Sequence, residues 1–330
     1  MKEKRETVIL APCCVIVKGR NNSCIYDLQR NGIYRFPNKF LSVFEDADNM
    51  GIWKISTDNS SSQEKFFVDE LQKNQLCIVT SQDCFFRPLS TEHHTERVCE
   101  NAIIDRGADS SYSMKSLAEK LSIVSCAAVS LRYFYPVKLD FMEPDIMAFA
   151  DSTVRSIEIH CNCLDELNSL DFREFKKRNG RVCSFVLYSE KESKVFNVGS
   201  DLSVHLKKFP MNACNMCGCV SETKMRAQTQ LYTESKNHNN CLYRKIYIGK
   251  QGEIKNCPEM PTCYGLLDDC TLQLKNILNS PEFRKYWSLT KDMVDECQDC
   301  EFRYACLDCR CFLHEPENIY SKPLKCSYKP

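Results

Sequence analysis

Cysteine dominates the last ninety residues of this chain. From Cys241 there are ten residues to Gly252 and four more to Cys257, and beyond a gap the chain reads Cys297-Gln-Asp-Cys300-Glu-Phe-Arg-Tyr-Ala-Cys306-Leu-Asp-Cys309-Arg-Cys311, with a late Cys326. Two residues between cysteines let one short turn aim both sulfurs at a single metal, and a distant partner closes the site. Two such pairs chained through Cys306, with partners on either side, point to a metal or iron–sulfur region. The rest of this region reads largely as loop, which buries little apolar area. A structural metal contributes roughly 10–16 kcal/mol, against a stability of roughly 5–15 kcal/mol for a whole domain. The C-terminal part is therefore expected to fold only around its metal.

At 330 residues the chain is too long for one small core, and two or three domains are expected. Its 44 basic residues balance 44 acidic ones, which removes the electrostatic argument for a nucleic-acid partner. The 23 cysteines are an odd number and cannot all pair. Met-Lys-Glu-Lys-Arg-Glu-Thr leads into an apolar run too short for a signal peptide. No window approaches the roughly 20 apolar residues that span a bilayer. Residues 123–131, the longest candidate, read as a buried strand. Thiols used this freely without export imply reduced cysteines and metal, hence a cytoplasmic protein with no membrane partner. The rival, a secreted disulfide protein, does not suit this length.

Residues 9–17 are apolar and β-branched, and residues 23–36 alternate around an Asn31-Gly32 hairpin signal. A short helix is expected from Pro37 to Phe44, a second over 64–73 and a strand over 76–80. Segment 1–95 is thus a small α+β unit, either winged-helix-like or an ordinary cap. Residues 96–225 alternate strands (102–105, 127–134, 154–160, 181–188) with helices (113–121, 144–150, 170–177). Repeats of this length predict parallel pairing and right-handed crossovers, in a half-barrel or small open sheet. Residues 226–330 form the Cys-dense remainder. It has a hairpin over 245–255 and a helix over 281–289, with Ser280 as N-cap and Pro281 at the first helical position.

The spacing Cys241-(ten)-Gly252-(four)-Cys257, Cys297-(two)-Cys300-(five)-Cys306 and Cys326 resembles the SPASM domain of radical-SAM peptide-maturing enzymes. One branch is closer still, the SPASM proteins that act beside an ATP-grasp ligase in "grasp-with-spasm" systems. The likeness lies in His238-Asn-Asn-Cys241-Leu-Tyr-Arg-Lys, Gly252-Glu-Ile-Lys-Asn-Cys257-Pro, Cys300-Glu-Phe-Arg-Tyr-Ala-Cys306-Leu-Asp-Cys309-Arg and Lys322-Pro-Leu-Lys-Cys326. Cys13-Cys14-Val-Ile-Val-Lys-Gly and Asp27-Leu-Gln-Arg are also similar. The resemblance implies a degenerate partial (β/α) barrel of radical-SAM type, between the N-terminal unit and a loop-rich SPASM domain. It further implies one or two auxiliary [4Fe–4S] clusters. Cys297, Cys300, Cys306 and Cys326 would hold one; Cys241 and Cys257 would hold the other, with Cys309 or Cys311. The fourth ligand there is Cys217, Cys214, Cys263 or a peptide substrate. The partners implied are a ribosomally made precursor peptide, an ATP-grasp ligase and a ferredoxin-like reductant.

The chain departs from that superfamily where the radical chemistry resides. No three cysteines have the Cys-x3-Cys-x2-Cys spacing that leaves one iron open for S-adenosylmethionine, and there is no Gly-Gly dipeptide. Cys214-x2-Cys217-x-Cys219 is nearest and does not fit. Classical radical formation is therefore not expected. Two readings follow, a peptide maturation protein working through its clusters and a non-catalytic peptide-binding adaptor with structural iron–sulfur or zinc. A zinc-ribbon interaction protein is a third. Cys13, Cys14, Cys77, Cys126, Cys161, Cys163 and Cys183 lie in or beside apolar strands and read as small buried hydrophobes. Cys263 and Cys270 read as incidental, and His93-His94 as solvated surface. His238 is either a ligand or a turn cap, and Arg303 and Arg310 either balance cluster charge or form surface ion pairs.

Overall fold

The computed structural model describes residues 6–330 except 48–51, 57–59, 82–88, 163–168, 190–192, 212–219 and 221–224. Two units emerge, both discontinuous in sequence: Met1–His94 with Val220–Asn240 and Leu289–Pro330, and Thr95–Cys219 with Cys241–Ser288. The first break falls between His94 and Thr95. Beyond it the units interleave rather than follow as consecutive segments. Residues 241–288 join the strand–helix region, and the last forty-two return to the N-terminal unit.

The first unit begins with β1 (Glu6–Leu10), β2 (Cys14–Lys18), β3 (Asn22–Asp27) and β4 (Gly32–Pro37), followed by a 3-10 helix, Asn38–Val43. Then come β5 (Phe44–Ala47), β6 (Ile52–Ile55), α1 (Ser62–Lys73) and β7 (Cys77–Ser81). One antiparallel sheet has the order β5-β6-β1-β7 and a second the order β2-β3-β4. Asn31 adopts a φ of 60° and Gly32 opens β4 opposite Asp27, so the hairpin signal is realised. Among the described residues of 6–81 only one α-helix occurs, so the helix set of a winged helix is not found there; the plain α+β reading fits.

Ser61 caps α1 through a reciprocal box: its hydroxyl accepts from the Glu64 N–H at 3.3 Å, and the Glu64 carboxylate accepts from the Ser61 N–H at 2.8 Å. Ser61→Ala is expected to lower stability by about 1 kcal/mol, read by chemical denaturation. A change within error would show that α1 is held by packing alone.

The small β2-β3-β4 sheet divides two cores. On one face Cys14, Ile25 and Phe36 pack with Leu10, Val68 and Leu71; on the other Val17, Cys24 and Tyr26 pack with Tyr232, Phe302, Tyr304 and Cys306. A Cβ on Gly19 would lie 2.7 Å from the Glu301 nitrogen, which is why the turn after β2 carries glycine. The C-terminal segment is thus built against the N-terminal hairpin. Tyr26 donates its hydroxyl to the Glu301 carbonyl at 2.8 Å, and Arg35 pairs with the fully buried Glu301 carboxylate at 2.9 Å.

The second unit holds β8 (Asn101–Arg106), α2 (Met114–Ile123), β9 (Ala128–Tyr133), α3 (Leu139–Met147), β10 (Ser156–Asn162), α4 (Ser169–Arg178) and β11 (Val182–Ser189). It continues with β12 (Lys194–Asn197), β13 (Ser203–Lys208), β14 (Lys245–Ile248) and β15 (Ile254–Lys255). These strands make one mixed eight-stranded sheet of order β12-β13-β11-β10-β9-β8-β14-β15. All pairings are parallel except those of β12 and β15 at its ends. All four expected parallel strands form.

The sheet is two-faced. The cross-strand row Ile104, Leu131, Ile159, Phe185 and Val204 is wholly buried, and α4 seats Phe172 and Phe175 against Phe185 at ring separations of 5.0 and 5.6 Å. The row beside it, Asp105, Arg132, His160, Val186 and His205, points to the other face and is largely polar.

Three expectations change. Pro144 sits inside α3 rather than opening it, because the helix begins at Leu139. The helix after Ser280 covers only α7, Pro281–Arg284, preceded by α6, Leu274–Asn279; α5, Thr229–Asn237, lies in the first unit. Cys183 is exposed rather than buried, because a bulge between Ile157 and Glu158 passes it out of the ladder. Among the described residues no helix is long and apolar enough to cross a membrane.

Candidate metal centres

Residues 289–330 contain no strand and only two 3-10 turns, Lys291–Met293 and Cys297–Asp299. Turns position the sulfurs instead. The Cys300 N–H donates to the Cys297 carbonyl at 3.0 Å, and the Phe302 N–H points at Cys300 Sγ at 3.4 Å. The chain then runs through Cys306 and folds back, with Leu324 N–H on the Phe312 carbonyl at 2.9 Å, which returns Cys326.

Electrostatics place Cys297, Cys300, Cys306 and Cys326 in one neighbourhood. Burial pushes the Cys297 thiol up to about 11, with Lys291 opposing and Asp308, Cys306 and Cys326 adding. Burial likewise raises Cys300 to about 12, the Phe302 N–H opposing while Glu301, Cys297 and Cys306 add. Cys306 is raised by burial and by Cys326 against the pull of Lys291. Cys297 thus feels Cys306 and Cys326, Cys300 feels Cys297 and Cys306, and Cys306 feels Cys326.

Around them lies a buried charge network that sequence reasoning missed. Lys291 is 4% exposed and 3.5 Å from Asp308, which Arg310 also meets at 2.6 Å. Burial works against the Lys291 charge, but Asp308, Cys306 and Cys297 outweigh it and hold the ammonium well above its ordinary range. Asn239 donates to Asp308 at 2.8 Å, and Asn240 bridges the Cys306 carbonyl (3.0 Å) and the Asp308 N–H (2.9 Å). The two asparagines before Cys241 therefore clamp the turn after Cys306, a role that spacing does not reveal. Arg310 braces the Ile319 and Ser321 carbonyls at 2.9 Å each, so it is a buried brace rather than a surface ion pair. Arg303 holds the Lys18 and Cys300 carbonyls and Asp292.

The remaining candidates are dispersed. Cys309 and Cys311 are half-buried on either side of Arg310. Cys241 and Cys257 are half-buried in the second unit, where Gly252, at φ 83°, turns the chain between β14 and β15. Cys214, Cys217, Cys219 and Cys163 lie outside the described residues. Cys263 and Cys270 are exposed; Cys13 and Cys77 are half-buried, and Cys14, Cys126 and Cys161 are buried. His238 caps α5 and lies edge-on to His93, whose Nδ1 is 3.3 Å from Thr233 Oγ1, so His93 is not solvated surface. His94 is exposed. No described cysteine forms a disulfide.

The cysteine-rich chain also carries a group able to hold a metal ion, Cys13, Cys14 and Asp27, with donor atoms all within 4.8 Å of one another. In the second unit a cavity of about 600 Å³ lies beside Arg97, Arg155 and Arg181 at the N-terminal ends of the parallel strands. Ligands of such sheets bind at the opposite, C-terminal ends. Near those ends the polar face presents Asp105, Arg132, His160 and Tyr188. His160 lies 2.7 Å from Glu158 and 2.9 Å from the Tyr188 hydroxyl. Compared with protein-family profiles, curated proteins and solved structures, the chain matches none.

Proposed function

We propose that this is a SPASM-type maturation protein for a ribosomally made peptide, acting beside an ATP-grasp ligase. Cys297, Cys300, Cys306 and Cys326 would hold a [4Fe–4S] cluster, and Cys241 and Cys257 would belong to a second. The observation that carries the reading is the shared neighbourhood of the four thiols, each of which raises, or is raised by, at least one of the others. Lys291 and Arg310 supply positive charge beside the anionic core. When bound, such a cluster supplies electron transfer, fed by a ferredoxin-like reductant.

The sequential order of β8, β9, β10, β11 and β13 supports the partial-barrel reading, since every crossover then winds the same way. On that reading the polar face receives the precursor peptide. The missing Cys-x3-Cys-x2-Cys favours a second reading, an adaptor that presents the peptide to the ligase around a structural metal.

Protein purified without air should be brown, with about four irons and four acid-labile sulfides per chain for each cluster. Colourless protein holding zinc at the C-terminal thiols would overturn the cluster reading. Co-expression of precursor and ligase, with and without this chain, divides the two roles by mass spectrometry. A mass change beyond the ligase's water losses marks a maturase, and a change only in yield marks an adaptor.

A further inference from the structure

We propose that Cys13, Cys14 and Asp27 form a binding site for a thiophilic divalent cation, zinc above all, separate from the C-terminal cysteines. The separation follows from the β2-β3-β4 sheet. Cys14 stands directly opposite Asp27 in the β2–β3 ladder, on the face that packs into the N-terminal core. Cys24 and Tyr26 occupy the other face, in the core that contains Cys306. Adjacent residues of a strand point to opposite faces, yet here a turn precedes the strand. The Cys14 N–H donates to the Ala11 carbonyl at 2.8 Å, with Pro12 at the second position of the turn. Cys13 therefore lies outside β2 and swings its sulfur to the same side, 3.8 Å from Asp27 Oδ1.

Asp27 is the second observation. Its carboxylate is wholly buried. Oδ1 accepts the backbone N–H groups of Gln29 and Arg30 at 3.1 and 3.0 Å, which ends the strand. Oδ2 is buried and accepts no hydrogen bond, its counter-charge being Arg30 Nη1 at 3.3 Å. A buried carboxylate oxygen left unsatisfied is costly, and native structures rarely tolerate one. Reading Cys13 and Cys14 as small hydrophobes leaves the buried carboxylate with the half-exposed Arg30 as its counter-charge, whereas a cation held by both sulfurs and the carboxylate adds a direct ligand within the buried group. The donor set selects the metal: thiolates favour zinc and its soft neighbours over magnesium or calcium, and three protein ligands leave a fourth position open. Two thiolates and a carboxylate carry three negative charges; a divalent ion leaves one, which Arg30 cancels.

The test uses the full chain grown in zinc-supplemented medium, with zinc and iron measured on the same samples. Wild-type protein is expected to hold about one more zinc per chain than Cys13→Ser or Asp27→Asn, at unchanged iron. Asp27→Asn keeps the oxygen that accepts from Gln29 and Arg30, so it decides the matter where Cys13→Ser folds poorly. Cobalt added to wild-type protein should give a thiolate-to-metal charge-transfer band that both variants lose and Cys270→Ser retains. Equal zinc in wild type and Asp27→Asn, or an unchanged cobalt band, would overturn the site.

Discussion

Cys300→Ala is expected to remove folded protein from the soluble fraction, while Cys270→Ala accumulates as wild type does. The segment after Leu289 contributes no helix longer than a 3-10 turn, yet it supplies Phe302, Tyr304, Ala305 and Cys306 to a core shared with Val17, Cys24 and Tyr26. Turn hydrogen bonds each contribute roughly 1 kcal/mol net and cannot by themselves order some forty residues at roughly 1–2 kcal/mol of backbone entropy each. Apolar burial of the core side chains offsets part of that cost, and a metal contributing roughly 10–16 kcal/mol adds a margin as large as the roughly 5–15 kcal/mol stability of a whole domain. Losing one thiolate ligand should therefore unseat the segment and expose the hairpin face that packs on it. The alanine itself exchanges one small half-buried side chain for another, so packing alone predicts only a mild effect. Cys270 is exposed and serves as control. Soluble yield and the thermal transition decide: a Cys300→Ala protein that accumulates and melts like wild type would show that the fold does not depend on this ligand.

The strand–helix region was legible because its signals are local. Runs such as Ile157 to Cys161 alternate buried and half-exposed positions, and Ser113 and Ser280 sit where caps are needed. What escaped was set by partners far away in sequence. β14 reads as one arm of a hairpin, which it is, but its parallel pairing with β8 joins residues 245 and 101. β12 and β13 complete the sheet from a stretch where sequence regularity fades. The Cys-dense segment shows the same division. Cysteine spacing marks the ligand candidates, whereas Lys291, Asn239, Asn240 and Asp308 matter through bonds spanning up to sixty-nine residues. No local pattern announces a buried lysine beside thiols.

The largest effect expected away from the cysteines is at Asp105. Its carboxylate pairs with Arg132, Nη2 to Oδ2 at 2.7 Å with Nε on the other oxygen, and accepts the Tyr247 hydroxyl at 2.9 Å. Both charged side chains are at most 5% exposed, and the guanidinium lies between the rings of Phe134 and Tyr247 at 5.4 and 5.8 Å. Asp105→Ala leaves that cation buried without its counter-charge, which is expected to cost about 3–5 kcal/mol. The pair itself need not be strongly stabilising, because desolvation offsets most of its attraction. Asp105→Leu combined with Arg132→Met should therefore recover most of the loss. Chemical denaturation of the three proteins separates the cases, and a single variant within about 1 kcal/mol of wild type would mean that Arg132 finds water or another anion. On the proposed reading, in which the polar face receives a peptide, a double variant that folds normally but binds no peptide would give the pair a role in recognition as well. A polar pair at the C-terminal end of a parallel sheet, beside His160 and Tyr188, is placed for that role.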